Sequence, residues 1–240
     1  MKLKALFLGS TAIVLLASCG GGASDKGNAS AKNELVMHIA KEPQRMNPYT
    51  VSDAVAHMIQ EHVFQQLQAY DYQTYQIKPS LAKAAPEIKE NTDSTMDITF
   101  EIREEATWAD GSAITAKDIE FSLKMLKNPL VDCPALRPYY EPYDEFTIDA
   151  ANPKKFSVHC KAYHLAVLNI SEMKVINKKV FDPKGLMDKF SIAELSHELK
   201  KLEDNPQLKE AADFFNTSFN KSLPADAGSG AYVFDKWESF

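Results

Sequence analysis

The stretch TWADGSAITAKDIEFSLKML, residues 107–126, contains a turn followed by the start of a helix. The dipeptide Asp110-Gly111 favours a turn, because glycine tolerates a positive φ. Thr115 stands three residues before Asp118, which is the spacing of a capping box, and apolar residues then recur at helical spacing. Pro129 blocks any longer helix. The stretch therefore predicts a joint in which a strand leads through a tight turn into a capped helix.

Patterns of period two outside this joint predict strands. Apolar residues alternate with polar ones over residues 98–102 and again over residues 155–160, which places one apolar set on one face of each strand. Short apolar segments at residues 34–39 and 231–234 predict two further strands, near the two ends of the chain. Pro43 prevents the first of these from continuing, since proline interrupts a strand.

Helix predictions come from apolar spacing and from capping residues. Beyond Ser52, apolar residues recur at helical spacing as far as Tyr70, which predicts a helix with one buried stripe. Ser191 with Glu194 forms a second capping box, and Asn205 followed by a proline predicts the start of another helix. Helices and strands mixed in this order predict an α/β domain, or a mixed α+β one.

Composition and charge narrow the class of protein. The 240 residues are 45% hydrophobic and 25% charged, as in globular proteins, so one large domain or two small ones are expected. The 33 acidic residues outnumber the 27 basic ones, and the lysines are scattered along the chain. Binding to nucleic acid needs a basic face, so no nucleic-acid partner is expected.

The N-terminus has the features of an export signal. Lys2 and Lys4 precede an apolar run over residues 5–17, which is shorter than the span of roughly 20 residues that crosses a bilayer. The residues Leu-Ala-Ser-Cys that end at Cys19 resemble the bacterial lipobox. We therefore expect residues 1–18 to be a lipoprotein signal peptide and Cys19 to be lipidated. The alternative is a plain signal peptide followed by a cysteine that occurs there by chance.

Lipidation would tie the mature chain to a membrane surface, because several acyl chains anchor a protein firmly. Residues 20–33, GGGASDKGNASAKN, are small and polar and predict a flexible linker. The expected organisation is a signal peptide over residues 1–18, the lipidated cysteine and linker over residues 19–33, and a folded domain over residues 34–240.

Export also affects how the remaining cysteines are interpreted. Cys133 and Cys160 would lie in an oxidising compartment, where two cysteines often join in a disulfide. The alternative is two separate buried thiols, and the sequence leaves both open. No histidine or further cysteine stands at ligand spacing near them, so no metal site is predicted.

Motifs of catalysis and cofactor binding do not occur in the sequence. His197-Glu198 is not continued to H-E-x-x-H, and G-x-S-x-G, a P-loop and G-x-G-x-x-G are all missing. Acidic pairs arise by chance among 33 carboxylates, so they indicate nothing about acid or base catalysis. We therefore expect neither an enzyme nor a bound cofactor, and a secreted hydrolase is the disfavoured alternative.

Several short motifs become informative when they are taken in order along the chain. They are Glu42-Pro43 with Asn47-Pro48, Pro79-Ser80-Leu81-Ala82, Phe100-Glu101-Ile102-Arg103, Trp108-Ala109-Asp110-Gly111, Thr115-Ala116-Lys117-Asp118 and Gly228-Ser229-Gly230-Ala231-Tyr232. Each motif alone is weak. Together they resemble the family 5 extracellular solute-binding proteins, which include the oligopeptide- and dipeptide-binding components of ABC importers.

The resemblance implies the type II periplasmic binding-protein fold, in which two lobes close over a ligand by hinge motion. It implies capture of peptides or another small solute for a membrane permease and its ATPase. It also implies a position facing the periplasm, lipid-anchored to the cell membrane or outer membrane. In the family the segment after the first strand lines the cleft, so the expected ligand contacts are Glu42, Arg45, Met46 and Asn47. A surface position is the alternative for Arg45, and Trp108 is expected in the core.

Two departures from the family pattern matter. Ala231 stands where the family usually has proline. Family chains are also much longer, so this sequence is expected to hold the N-terminal part only, namely the first lobe and its lower subdomain. A truncated lipid-anchored scaffold without transport activity is the alternative. A cleft with one wall is expected to bind ligand feebly, because it cannot desolvate the ligand on both sides.

Overall fold

The computed structural model describes residues 35–163, 165–197, 199–202 and 204–239. The chain divides into two units, Met1–His38 and Ile39–Phe240, and all helices and strands below belong to the second. In chain order they are α1 (Ala54–Val63), β1 (Gln68–Asp71), β2 (Gln76–Pro79), β3 (Glu87–Glu90), β4 (Thr95–Glu101), α2 (Ala116–Lys127), α3 (Arg137–Tyr140), β5 (Tyr143–Ile148), β6 (Lys155–Lys161), α4 (Ala166–Ser171), α5 (Lys178–Phe181), a 3₁₀-helix (Leu186–Lys189), α6 (Ile192–His197), α7 (Leu199–Leu202) and α8 (Pro206–Ser218).

A four-stranded antiparallel sheet has the strand order β3-β4-β6-β5, and β1 and β2 form a separate hairpin. Burial alternates strictly along β4 and along most of β6. Ile98 and Phe100 of β4 lie opposite Val158 and Phe156 of β6, and all four side chains are at most 1% exposed. The sheet therefore has one buried face, as residues that alternate with period two predict. Both strands predicted from alternation, β4 and β6, are confirmed.

The joint at residues 107–126 forms as predicted. The turn closes where the amide of Gly111 donates to the carbonyl of Trp108 at 3.0 Å, and Gly111 has a φ of 81°. The Asp118 carboxylate accepts from the amide of Thr115 at 2.9 Å, which caps the first turn of α2. Trp108 is 3% exposed and packs in the core, as expected.

The two other predicted helix starts are also confirmed. The amide of Ser191 donates to the Glu194 carboxylate at 2.7 Å, and α6 begins at the next residue. The side-chain oxygen of Asn205 accepts from the amide of Gln207 at 2.9 Å, and α8 begins at the proline between them. In both cases a polar side chain satisfies a backbone N–H that has no partner inside the helix.

Helix α1 is shorter than its apolar spacing predicts. Its N-cap is Asp53 rather than Ser52, and the helix ends at Val63. Tyr70 belongs instead to β1, and the carbonyl of Leu67 accepts hydrogen bonds from two backbone amides just beyond β2. These hydrogen bonds hold the chain in an extended course, so tertiary contacts override the helical pattern there.

The strands predicted near the ends of the chain are not formed by the described residues. Residues 35–39 have no strand conformation, and Leu35 and Val36 are 61% and 83% exposed. The amide of Tyr232 donates to the carbonyl of His62 at 3.1 Å, but residues 231–234 form no ladder. A strand needs a neighbouring strand to pair its backbone groups, and apolar alternation alone does not supply one.

Cys133 and Cys160 are both free and buried, so the structure has the two separate thiols and not the disulfide. Cys160 lies in β6, whereas Cys133 follows α2 and its Sγ lies 3.7 Å from the carbonyl oxygen of Leu126. Burial raises the pKa of Cys133 to about 11 and that of Cys160 to about 12, so both thiols are protonated at neutral pH. Within the described residues no group of three or more His, Cys, Asp or Glu side chains could hold a metal ion.

The segments predicted to direct export lie outside the described residues. They comprise the signal peptide over residues 1–18, Cys19 and the linker up to residue 33, and their roles stay predictions. Among the helices that are described, none has the length and apolar character needed to cross a membrane.

Candidate functional site

The candidate site is a groove made of two adjoining hollows, with volumes of about 370 Å³ and 540 Å³. Both hollows are lined by Glu61, Gln66, Glu172 and Lys174, and we call these four residues the junction. Pockets that bind small ligands usually have volumes of roughly 300–1,000 Å³. The groove therefore has the size of a ligand site, with charged groups at its centre and aromatic groups on either side.

The smaller hollow has three tyrosines in its lining, together with proline and leucine side chains. The loop before α1 contributes Pro48 and Tyr49, while α3 and the segment just before it contribute Leu136, Tyr139 and Tyr140. Tyr139 is 51% exposed, so a ligand can reach its ring, whereas Tyr140 is buried. Burial raises the pKa of Tyr49 and of Tyr140 well above that of a free tyrosine, so both phenols are neutral. Such a lining suits an apolar or aromatic side chain.

The larger hollow has an aromatic wall on the hairpin of β1 and β2. The rings of Tyr70 and Tyr72 meet edge to face with their centroids 5.4 Å apart. Gly230 forms another part of the lining, and a Cβ at this position would lie 2.2 Å from the carbonyl oxygen of His62. Only glycine fits so close to the end of α1, which is a physical reason for the Gly-x-Gly motif in this part of the chain.

Neutral acceptors hold Lys174 at the junction. Its Nζ lies 2.9 Å from Nδ1 of His57 and 2.6 Å from Oε1 of Gln60, both on α1. The amide of Val175 donates to the carbonyl of Gln65 at 2.9 Å, which ties the backbone next to Lys174 to the segment after α1. The lysine is thus positioned by contacts that are distant in sequence.

Burial determines the protonation of this lysine and its neighbour. It lowers the pKa of Lys174 to about 8, because a low-dielectric environment disfavours the ammonium. Burial and the adjacent Lys174 charge together lower the pKa of His57. At pH 7 the imidazole is therefore neutral, and its Nδ1 accepts a hydrogen bond from the charged Lys174.

Two glutamates give the junction its negative charge. Glu61 lies one helical turn beyond His57 on α1, and Glu172 is the C-cap residue of α4. Burial raises the pKa of Glu172 above its usual value. Within the described residues neither carboxylate lies within 4.0 Å of a basic side-chain nitrogen, although the Glu61 charge acts at longer range on Lys174. The junction thus presents two carboxylates and one ammonium, which complements a ligand that carries charges of both signs.

The structure places two of the four predicted ligand contacts in the interior. Met46 is 1% exposed in the hydrophobic core, and Asn47 is 0% exposed. Asn47 donates from Nδ2 to the carbonyl of Phe215 at 2.6 Å and accepts from the amide of Tyr49 at 3.0 Å. Both side chains are enclosed by this chain itself, which speaks against a direct contact with ligand. Their neighbours Pro48 and Tyr49 line the groove instead.

The other two predicted contacts are partly exposed but are not among the residues that line the groove. Nη1 of Arg45 lies 3.3 Å from the Asp132 carboxylate and 3.5 Å from the carbonyl oxygen of Thr50, as in a surface ion pair. Glu42 is partly buried and has interactions of its own. A ligand-binding role for Glu42 and Arg45 stays a prediction.

None of the four predicted ligand contacts is among the residues that line the groove. His57 and Glu61 stand four residues apart on α1, so helical spacing could have placed them on one face. The neighbouring aromatic residues Tyr139 and Tyr140 were a second local signal. Lys174 has no such signal, because its partner Gln60 is 114 residues away in sequence.

Solved structures that resemble this chain belong to solute-binding proteins. AppA from Bacillus subtilis, an oligopeptide-binding protein in complex with a nonapeptide, is 19% identical with a TM-score of 0.56, covering 82% of this chain and 33% of AppA. The oligopeptide-binding protein from Thermus thermophilus, complexed with a pentapeptide, is 19% identical with a TM-score of 0.54, covering 75% of this chain and 31% of that protein. NikZ from Campylobacter jejuni, in complex with Ni(L-His), is 24% identical with a TM-score of 0.51, covering 85% of this chain and 32% of NikZ.

These similarities define the fold as part of a type II periplasmic binding protein, which confirms the predicted fold class. The chain spans about a third of the length of the solved structures that it matches. No curated protein matches the sequence. The model of the bacterial extracellular solute-binding proteins, family 5 Middle, matches residues 76–239, and the chain belongs to this family. The family resemblance inferred from the short motifs is thereby confirmed.

Proposed function

We propose that this chain is the ligand-capturing part of an ABC importer for peptides or a related small solute. Membership of an extracellular solute-binding family carries the proposal. Two of the structurally similar proteins hold a pentapeptide and a nonapeptide, which favours peptides as the ligand class. A short peptide carries an ammonium and a carboxylate at its ends, and the junction offers a group of opposite charge to each.

In this function the groove forms one wall of the ligand cleft. Apolar or aromatic side chains of the ligand enter the two hollows, while its charged ends lie near the junction. Hydrated side-chain pockets of this kind tolerate many peptide sequences, because much of the affinity comes from the ligand backbone. The loaded protein then delivers its ligand to a membrane permease that an ATPase drives.

The test is to identify what the protein retains from its host. The chain is purified without denaturation, then unfolded, and the released small molecules are identified by mass spectrometry. We expect short peptides or one related solute. Tyr139→Ala in the smaller hollow is expected to reduce the retained amount, whereas Tyr75→Ala is a matched control on a 74% exposed ring that does not line the groove.

Absence of any retained solute above the amount found with an unrelated lipoprotein would count against the importer. The lipid-anchored scaffold without transport activity would then describe the chain better. Equal retention by the Tyr139→Ala and Tyr75→Ala variants would leave the importer standing but would remove the groove as its ligand site.

We further propose that Cys19 carries a lipid anchor that holds the domain at the cell membrane or outer membrane, facing the periplasm. The lipobox-like residues before Cys19 support this. Cells are fed a fatty acid with an alkyne tag, and the protein is tested for the label. Cys19→Ser is expected to lose the label and Cys133→Ser to keep it. An unlabelled wild-type chain would indicate a plain signal peptide.

A further inference from the structure

We propose that Lys174 is the anion-binding point of the groove and that it holds the C-terminal carboxylate of a short peptide. This inference rests on the proposed function and adds the orientation of the ligand to it. Lys174 lines both hollows, so a carboxylate bound there would leave the neighbouring side chains of the peptide free to enter either one.

The hydrogen bonds of Lys174 do not include a carboxylate partner among the described residues. An ammonium has three donors, and neutral acceptors on His57 and Gln60 take two of them. Within the described residues no carboxylate oxygen lies within 4.0 Å of its Nζ. One donor therefore remains for a ligand, and the charge is offset only by the more distant Glu61, which acts to raise the pKa of Lys174 but does not outweigh burial.

Because Lys174 is half-buried, the lack of a carboxylate in contact with its ammonium costs free energy. A charged group that leaves bulk water loses hydration, and only an opposite charge with good hydrogen bonds restores the lost free energy. The lowered pKa of Lys174 agrees with this cost. A ligand carboxylate would supply both the charge and the acceptor, so its binding and the protonation of Lys174 would reinforce each other.

The position of Lys174 is held independently of any ligand. Gln60 is fully buried, and its Nε2 donates to the carbonyls of Met46 and Asn47 at 3.2 Å and 3.0 Å. Its Oε1 is therefore turned toward Lys174 by the loop that precedes α1. A preorganised donor of this kind binds an anion without the entropic cost of ordering a long side chain.

Lys127 shows what a structural lysine looks like in the same fold. Burial lowers its pKa to about 8 as well, but its Nζ donates to the carbonyls of Tyr140 and Glu141, both at 3.2 Å. Lys127 is not among the residues that line the groove. Burial lowers the pKa of both lysines to about 8, but of the two only Lys174 faces a space that a ligand can occupy.

The glutamates of the junction select among anions. Glu61 and Glu172 would repel a doubly charged phosphate, but they attract an ammonium. A peptide brings one carboxylate and one ammonium, and therefore satisfies Lys174 and a glutamate together. This charge pattern favours a short zwitterionic peptide over a dianion.

The experiment compares two libraries of random tetrapeptides that contain no Asp or Glu, one with free C-terminal carboxylates and one with C-terminal amides. The purified wild-type chain and Lys174→Gln are each incubated with both libraries, and retained peptides are quantified by mass spectrometry. Glutamine keeps a donor for Gln60 but carries no charge. Lys83→Gln is the control, because Lys83 pairs with Glu101 at the surface, away from the groove lining.

We expect the wild-type chain to retain the free-carboxylate library about 10- to 100-fold more than the amide library, as for loss of one charged hydrogen bond. Lys174→Gln is expected to lose this preference, while Lys83→Gln keeps it. Thermal melts followed by circular dichroism check that each variant folds, and Lys174→Met serves if Lys174→Gln does not.

Three outcomes would overturn the proposal. The first is equal retention of the two libraries by the wild-type chain. The second is a preference that survives in Lys174→Gln. The third is an equal loss of both libraries in Lys174→Gln, which would make Lys174 a structural residue. In all three the peptide-binding function survives, whereas retention of neither library by the wild-type chain would count against that function itself and against this inference with it.

Discussion

The sheet β3-β4-β6-β5 and the groove differ in how their buried side chains are satisfied. In the sheet, apolar side chains meet others of their kind, as where Phe156 stacks between Phe100 and Phe146 with centroids at 5.8 Å and 4.9 Å. In the groove, titratable groups are partly buried, and within the described residues Lys174 donates hydrogen bonds only to neutral acceptors. The buried side chains of the sheet need no ligand, whereas Lys174 in the groove has a hydrogen-bond donor left for one.

This difference separates stability from function. Buried apolar area stabilises the fold by about 25 cal/mol per Å², whatever ligand is present. A half-buried charge without a counter-ion destabilises the empty protein and becomes favourable only when a ligand of opposite charge arrives. Substitutions in the sheet should therefore change the free energy of unfolding, and substitutions in the groove should mainly change ligand binding.

The largest expected effect is in the sheet. Phe156→Ala removes a side chain that is 1% exposed and should lower the free energy of unfolding by about 3–5 kcal/mol, because it leaves a cavity. Tyr139→Ala in the groove should change it by less than about 0.5 kcal/mol, since the ring is 51% exposed. Urea denaturation of both variants measures the difference. Equal losses would show that the groove also stabilises the fold.

A buried polar residue beside the groove should have the next largest effect. Asn47→Ala leaves the carbonyl of Phe215 and the amide of Tyr49 without their partner, which costs about 1–3 kcal/mol of unfolding free energy. Asn169→Ala is the control, because its side chain is only partly buried. A variant Asn47→Ala that keeps its stability and loses ligand would instead support the ligand-binding role predicted for this residue.

Lys174 in the groove should make the free energy of unfolding depend on pH. The folded-state pKa of Lys174 is about 8, below its ordinary value of 10.5, so the unfolded chain binds more protons between these values. The wild type should gain stability relative to Lys174→Gln as pH rises through this window, by at most about 1.4 kcal/mol per pH unit. The other groups of the junction, Glu61, Glu172 and the neutral His57, are the same in both proteins. Urea denaturation at pH 7.5 and pH 9.5 checks the sign.

The smallest expected effect is on the exposed face of the sheet. There the stability should fall as pH rises, whereas the Lys174 contribution should rise. Nδ1 of His159 lies 2.7 Å from the Asp144 carboxylate, which raises the pKa of the histidine above 6.5. The pair stabilises the fold below pH 6.5 and ceases to do so as pH rises through the raised pKa. Asp144→Asn should cost up to about 1 kcal/mol at pH 5.5 and nothing at pH 9. An equal cost at both values would rule out the charged pair.

The sequence predicted well wherever a short segment decides its own conformation. The capping residues Thr115, Ser191 and Asn205 start helices as expected, because each side chain accepts from a backbone amide two or three residues away. Alternation predicted β4 and β6, because a buried face requires it. The strand predicted over residues 231–234 failed, since pairing depends on a neighbour that the pattern does not contain.

The sequence by itself determined the caps, the turn at Gly111, the two central strands and, through its ordered motifs, the family. Local hydrogen bonds and side-chain period suffice for these features. Only the tertiary structure decided that Cys133 and Cys160 stay apart, that Asn47 faces inward and that Lys174 meets α1 at the junction. The physical reason is that burial and charge depend on residues brought together from distant parts of the chain.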